Sequence, residues 1–92
     1  MSDQTSAVRT IEEHRVQIDA LDEQIVGLLN ARADEALAIR ALKPQAKMGL
    51  FDPKREEEIF EKIEGFNKGP LFGEDLRSVY ATILRVMKEM HA

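Results

Sequence analysis

Arg32 and Lys43 stand eleven residues apart, a spacing that returns to within about 20° of the same side of an α-helix. Between and before them run Ile18, Leu21, Ile25, Leu28, Ala36 and Ile39, all three or four residues from their neighbours along one stripe. That period is one face of a helix, and an apolar face turns inward. Here the face carries a guanidinium and an ammonium. An unpaired buried charge is costly, so such groups neutralise an anion. Carboxylates elsewhere in the fold could do this, a bound anionic ligand could, or the head groups could snorkel to water.

Other charges extend the set. Arg15 lies seventeen residues before Arg32, roughly 25 Å away along the axis and about 100° round it. One chain cannot bring both to one small ligand, whereas a second antiparallel chain can; Arg15 is otherwise an ordinary solvated arginine. Asp52, Arg55 and Glu56 share a face through their i, i+3, i+4 spacing. Asp52 is accounted for as a helix N-cap. Glu56 aligns with Ile59, Phe60 and Ile63, so it looks inward and could neutralise Lys43 or Arg32. A helix N-terminus beside Arg55 favours anions, because its free N–H groups point outward. His91 sits one turn beyond Met87, where a histidine also serves as a partner of the helix dipole.

Several chemistries are excluded. His14 and His91 with scattered carboxylates form no metal motif. Ser2, Ser6 and Ser78 have no nucleophile context, and the five dispersed glycines make no phosphate loop. Absence of cysteine removes thiol catalysis, disulfides and thiolate ligands. Fixed cations, one inward carboxylate and no nucleophile suit a reaction that needs orientation and electrostatic stabilisation.

The elements that position these groups read as an all-α fold of three helices, with no strand-like alternation. Helix 1 is expected from about Thr10 to Leu42, ended by Pro44, which presses its predecessor out of helical geometry. A loop with Gly49 follows. Asp52 as N-cap and Pro53 at the first position start helix 2, which ends near Asn67 before Gly69 and Pro70. Helix 3 is expected from about Gly73 to His91, with Leu76, Val79, Tyr80, Ile83, Met87 and Met90 on its apolar face. Residues 1–10 read as a flexible N-terminal segment and 11–92 as one helical domain.

Size then argues for an oligomer. A helix of about 33 residues is about 50 Å long, while a compact domain of this length has a radius of gyration near 12 Å. Val26, Leu29, Ala33 and Leu37 form a second apolar row that widens the face needing cover. A second copy packed antiparallel along helix 1 provides it, giving an intertwined homodimer.

Composition fits this. Hydrophobic residues make up 43% and aromatics 5%, as expected of an aliphatic helical core. The net charge of −4 argues against a surface that grips nucleic acid. Residues 1–10 contain no apolar signal-peptide core, and no apolar run is long enough for a bilayer. The expectation is a cytoplasmic protein without nucleic-acid or membrane partners.

The segments HRVQIDALDEQIVGLLNARADEALAIRALK, GLFDPKREEEIFEKIE and NKGPL closely resemble the all-helical class of chorismate mutases. Likeness extends over about residues 11 to 91. The combination of R-x-x-I-D-x-L-D, a later N-x-R, the lysine eleven residues on and D-P-x-R-E carries it; single pieces would be weak. What the resemblance implies is an intertwined dimer of three-helix chains, rearranging chorismate to prephenate without cofactor or metal. Each of its two sites would combine residues of both chains.

By the same resemblance, Arg15 matches an arginine lent by the neighbouring subunit to one substrate carboxylate, and Arg32 the arginine holding the other. Lys43 matches the lysine that hydrogen-bonds the ether oxygen and a carboxylate. Arg55 matches a supporting arginine, Glu56 the acid accepting from the ring hydroxyl, and Asp52 a position whose backbone faces that hydroxyl. His91 stands where the family offers a glutamine or glutamate to the ether oxygen, and Met87 where a small polar residue is common. Pro44 directly after Lys43 is a further departure. Two other readings share the fold: an isochorismate-pyruvate lyase, and a non-catalytic dimer partnering another shikimate-pathway enzyme.

Overall fold

The computed structural model describes residues 2–90 as three helices, α1 (Ser2–Leu42), α2 (Pro53–Phe66) and α3 (Gly73–Glu89), with no strand among the described residues. The chain divides into two units, Met1–Asp34 and Glu35–Ala92. The first is α1 up to Asp34. The second holds the end of α1 and the whole of α2 and α3.

In the first unit the helix starts at Ser2 rather than near Thr10. Nothing from Asp3 to Arg9 is a proline or glycine, so no residue there breaks the ladder. Asp3 in the first turn complements the positive end of the helix, and the Thr10 hydroxyl donates to the Ser6 carbonyl at 2.9 Å. The apolar row expected to face inward is exposed in the single chain: Ile18 53%, Leu21 54%, Ile25 51%, Leu28 70%. Leu29, Arg32 and Ala33 are half-buried instead.

In the second unit α1 ends on a turn over residues 43–47. Pro44 has no N–H to continue the ladder, the Met48 amide closes back on the Lys43 carbonyl at 2.9 Å, and Lys47 takes a left-handed φ of 57°. Asp52 then caps α2, its side chain accepting from the Arg55 amide at 3.0 Å with Pro53 in the first turn. That is the start the sequence predicts, and Asn67 is the C-cap at the predicted end. Asn67 also builds the next turn, donating to the Leu71 carbonyl at 2.9 Å and accepting from the Gly69 amide at 3.0 Å. Gly69 has φ +80°, which a residue without Cβ adopts freely. α3 has no side-chain cap, but Glu74 and Asp75 occupy its first turn.

α2 and α3 run antiparallel. Arg77 near the start of α3 meets Glu64 at 3.0 Å and Glu57 at 3.2 Å, with its guanidinium carbon 4.2 Å from the Phe60 ring centroid. Lys88 near the end of α3 reaches back to Glu56. Ile63 is the one buried apolar side chain among the described residues, with Ile59 and Phe60 half-buried on the same face of α2. Leu76, Tyr80, Ile83, Leu84 and Met87 are half-buried on α3, whereas Val79 is 53% exposed. The expected α3 face therefore holds apart from Val79 and from Met90, which is the extended C-cap because the helix ends at Glu89, and Leu84 joins it.

Candidate functional site

Four parts of the second unit converge: the end of α1, the segment before α2, the first turn of α2 and the last turn of α3. Arg40 ties the first to the last, one guanidinium nitrogen donating to the Lys88 carbonyl at 2.7 Å and the other to the Met90 carbonyl. A guanidinium fork suits two neighbouring carbonyls, and these are C-terminal carbonyls that lack intrahelical donors. Lys43, in the turn directly after α1, donates to the Leu50 carbonyl at 3.1 Å. The Lys88 ammonium lies 2.7 Å from Glu56 Oε1 and 5.0 Å from the Phe51 ring centroid.

The predicted residues distribute as follows. Lys43, Asp52, Glu56 and Met87 are half-buried in the second unit and Arg55 is exposed there, forming a 3.7 Å ion pair with Glu58. Glu56 looks inward as expected. Its cationic partner is Lys88; Lys43 and Arg32 were the alternatives the sequence offered. Arg15 and Arg32 belong to the first unit; Arg32 is half-buried, and Arg15 is exposed with a 2.7 Å bridge to Glu12 on its own helix. His91 lies outside the described residues.

Sequence reasoning missed Arg40 and Lys88. For Arg40 a signal existed, since it sits four residues after Ala36 and three before Lys43 on the patterned face. The pattern favoured Ile39 for that place; Ile39 is 56% exposed and Arg40 half-buried. For Lys88 the only local hint is its place in the last turn of a helix, where cations are common.

Chemically, the convergence offers one ammonium just after α1, a second on α3 that is already paired, a carboxylate acceptor and the N-terminal turn of a helix. Such a set suits an anion that also carries a hydroxyl group. No three His, Cys, Asp or Glu side chains cluster to hold a metal among the described residues. No helix there is long and apolar enough to cross a membrane.

Residues 14–92 match the family described as chorismate mutase type II. Curated relatives include bifunctional chorismate mutase/prephenate dehydratases. That of Aquifex aeolicus (strain VF5) is 47% identical over 58 residues, 63% of this chain and 16% of the relative. That of Neisseria gonorrhoeae (strain ATCC 700825 / FA 1090) is 36% identical over 80 residues, 83% of this chain and 22% of the relative. The chain thus spans about a fifth of the length of these relatives. Among solved structures, chorismate mutase from Thermus thermophilus superposes with 28% identity in both of its forms. Form I gives a TM-score of 0.80 over 84% of this chain and 96% of that one, and form II 0.84 over 87% and 91%. A three-helix chain, matched over most of its length in both sequence and fold, belongs to the chorismate mutase type II family.

Proposed function

We propose that this chain rearranges chorismate to prephenate without a cofactor, as a homodimer in which each site takes Arg15 from the neighbouring chain. The observation that carries this reading is the family match over residues 14–92, which takes in every charged position singled out in the sequence. Chorismate is a dianion that must adopt a strained diaxial shape before its reacting carbons meet. Arg15 of one chain and Arg32 of the other clamp the two carboxylates and select that shape. One C–O bond then breaks as one C–C bond forms, with no proton transferred and no covalent intermediate.

In the transition state the ether oxygen gains negative charge. Lys43 and His91 donate to it, which stabilises the transition state more than the ground state. Glu56 accepts from the ring hydroxyl, the Asp52 backbone faces the same group, Arg55 supports the anion, and Met87 lines the site. The exposed row from Ile18 to Leu28 supports the dimer, since a second antiparallel chain would cover it. The double names of the curated relatives support a partner that consumes prephenate, and we place the reaction in the cytoplasm.

Purified protein incubated with chorismate is the direct test. Chorismate should disappear and prephenate accumulate with no added cofactor, while isochorismate is left unchanged. A folded dimer that leaves chorismate intact overturns the reading, and pyruvate released from isochorismate replaces it with the lyase.

A further inference from the structure

Glu56 does not stand alone at the start of α2. Its Oε1 is 2.7 Å from the Lys88 ammonium, which lies 5.0 Å from the Phe51 ring centroid. The Glu56 side chain is 28% exposed and that of Lys88 45%, so the pair is partly shielded. The backbone of Lys88 is held as well, because Arg40 donates to its carbonyl at 2.7 Å and to that of Met90. An ordinary cation in the last turn of a helix interacts with its own C-terminal carbonyls. This one is anchored by its carbonyl from α1 while its side chain crosses to α2.

We propose that Lys88 is a positioning residue for Glu56, gripping one carboxylate oxygen so that the other is presented to the hydroxyl of a bound substrate. The proposal rests on the reading of Glu56 as the hydroxyl acceptor. A carboxylate has about four lone-pair sites, so one ammonium leaves capacity for a hydroxyl donor. A glutamate on three rotatable bonds would otherwise sample orientations in which neither oxygen meets the ligand. Arg40 acts one step further back, by fixing where the lysine stem begins.

A double-mutant cycle tests this on the intact protein, with kcat/KM for chorismate as the readout. Lys88→Met keeps an apolar stem over Phe51 and removes the charge; it should lower kcat/KM roughly tenfold, less than the ~100-fold that a 1 Å misplacement of a reacting group can cost. Lys88→Arg should restore most of the loss, because a guanidinium can still reach the carboxylate. In a Glu56→Gln background, Lys88→Met should have little further effect, the non-additivity expected of residues that act through one another. Circular dichroism checks folding, and Lys88→Gln replaces the methionine variant if that melts early. Full additivity, or no effect of Lys88→Met where Glu56→Gln is impaired, overturns the proposal and leaves the role of Glu56 standing. If Glu56→Gln itself keeps wild-type activity, the reading of Glu56 fails and the proposal fails with it.

Discussion

The ammonium of Lys43 donates to the carbonyl of Leu50 at 3.1 Å, so the residue that directly follows α1 also fastens the segment that leads into α2. Lys43→Met separates the two duties. The lost hydrogen bond should cost on the order of 1 kcal/mol of stability. Loss of a preorganised donor to the ether oxygen should lower kcat by about 10²–10³-fold. Thermal melting and chorismate turnover on the same sample decide; a variant that melts earlier yet turns over normally makes Lys43 a fastener of the turn.

Arg15→Ala and Arg32→Ala should each be nearly inactive while remaining folded dimers by sedimentation at low micromolar concentration. Mixing the two under conditions that exchange subunits should restore some activity, because one of the two composite sites in a heterodimer receives both wild-type arginines. Verified heterodimers without recovery would show that Arg15 does not act across the interface.

Arg77 ties α2 to α3 through Glu57 and Glu64 and has no part in the proposed reaction, so its replacement should weaken the fold while sparing turnover. Its hydrogen bond to Glu64, joined by the attraction of Glu57 and opposed by desolvation, holds the guanidinium pKa above its usual value. A pKa raised by folding adds stability that is present below the unfolded value and lost only as pH climbs through the folded one. For an arginine that window lies in strong alkali. Arg77→Met should therefore lower the melting temperature by a similar amount at about pH 6 and about pH 9. The difference should shrink in concentrated salt, because the pairs are solvent-exposed. A strong pH dependence between those points would assign the loss to another group.

On the proposed reading, His91 stands where the family offers a glutamine or glutamate to the ether oxygen. A neutral imidazole donates through one nitrogen, whereas the protonated ring donates through both and adds charge. Wild-type activity should fall with rising pH in a step that His91→Gln lacks, while the glutamine variant keeps substantial turnover. Profiles of chorismate turnover from about pH 5 to about pH 9 give the comparison; identical curves would take His91 out of the reaction.

What the sequence made legible is local. Asp52 followed by Pro53 marks the start of α2 because capping needs only a side-chain oxygen and the next few amides, and Asn67 closes it at the expected place. Periodicity found Ile59, Phe60, Ile63 and the inward Glu56 for the same reason. The partner of Glu56 was not legible, since Lys88 lies 32 residues further on and no spacing rule reaches across a hairpin. Arg40 meets carbonyls 48 and 50 residues away, and the apolar pattern gave its place to Ile39. The start of α1 was missed because residues before Thr10 have no apolar stripe, and continuity of the backbone ladder does not need one. In one chain the stripe from Ile18 to Leu28 is exposed, because periodicity marks a face to be covered without saying by what.

Ile63 as the single buried apolar side chain among the described residues has a thermodynamic consequence. Removing apolar surface from water is the main force that opposes chain entropy, and little of it is realised within one chain. In the proposed homodimer, mass action would set how firmly the protein holds together, and dilution itself would act as a denaturant. The melting temperature should climb with total protein concentration, and a substitution in the exposed row of α1 should be harmful in dilute solution and partly masked at high protein concentration.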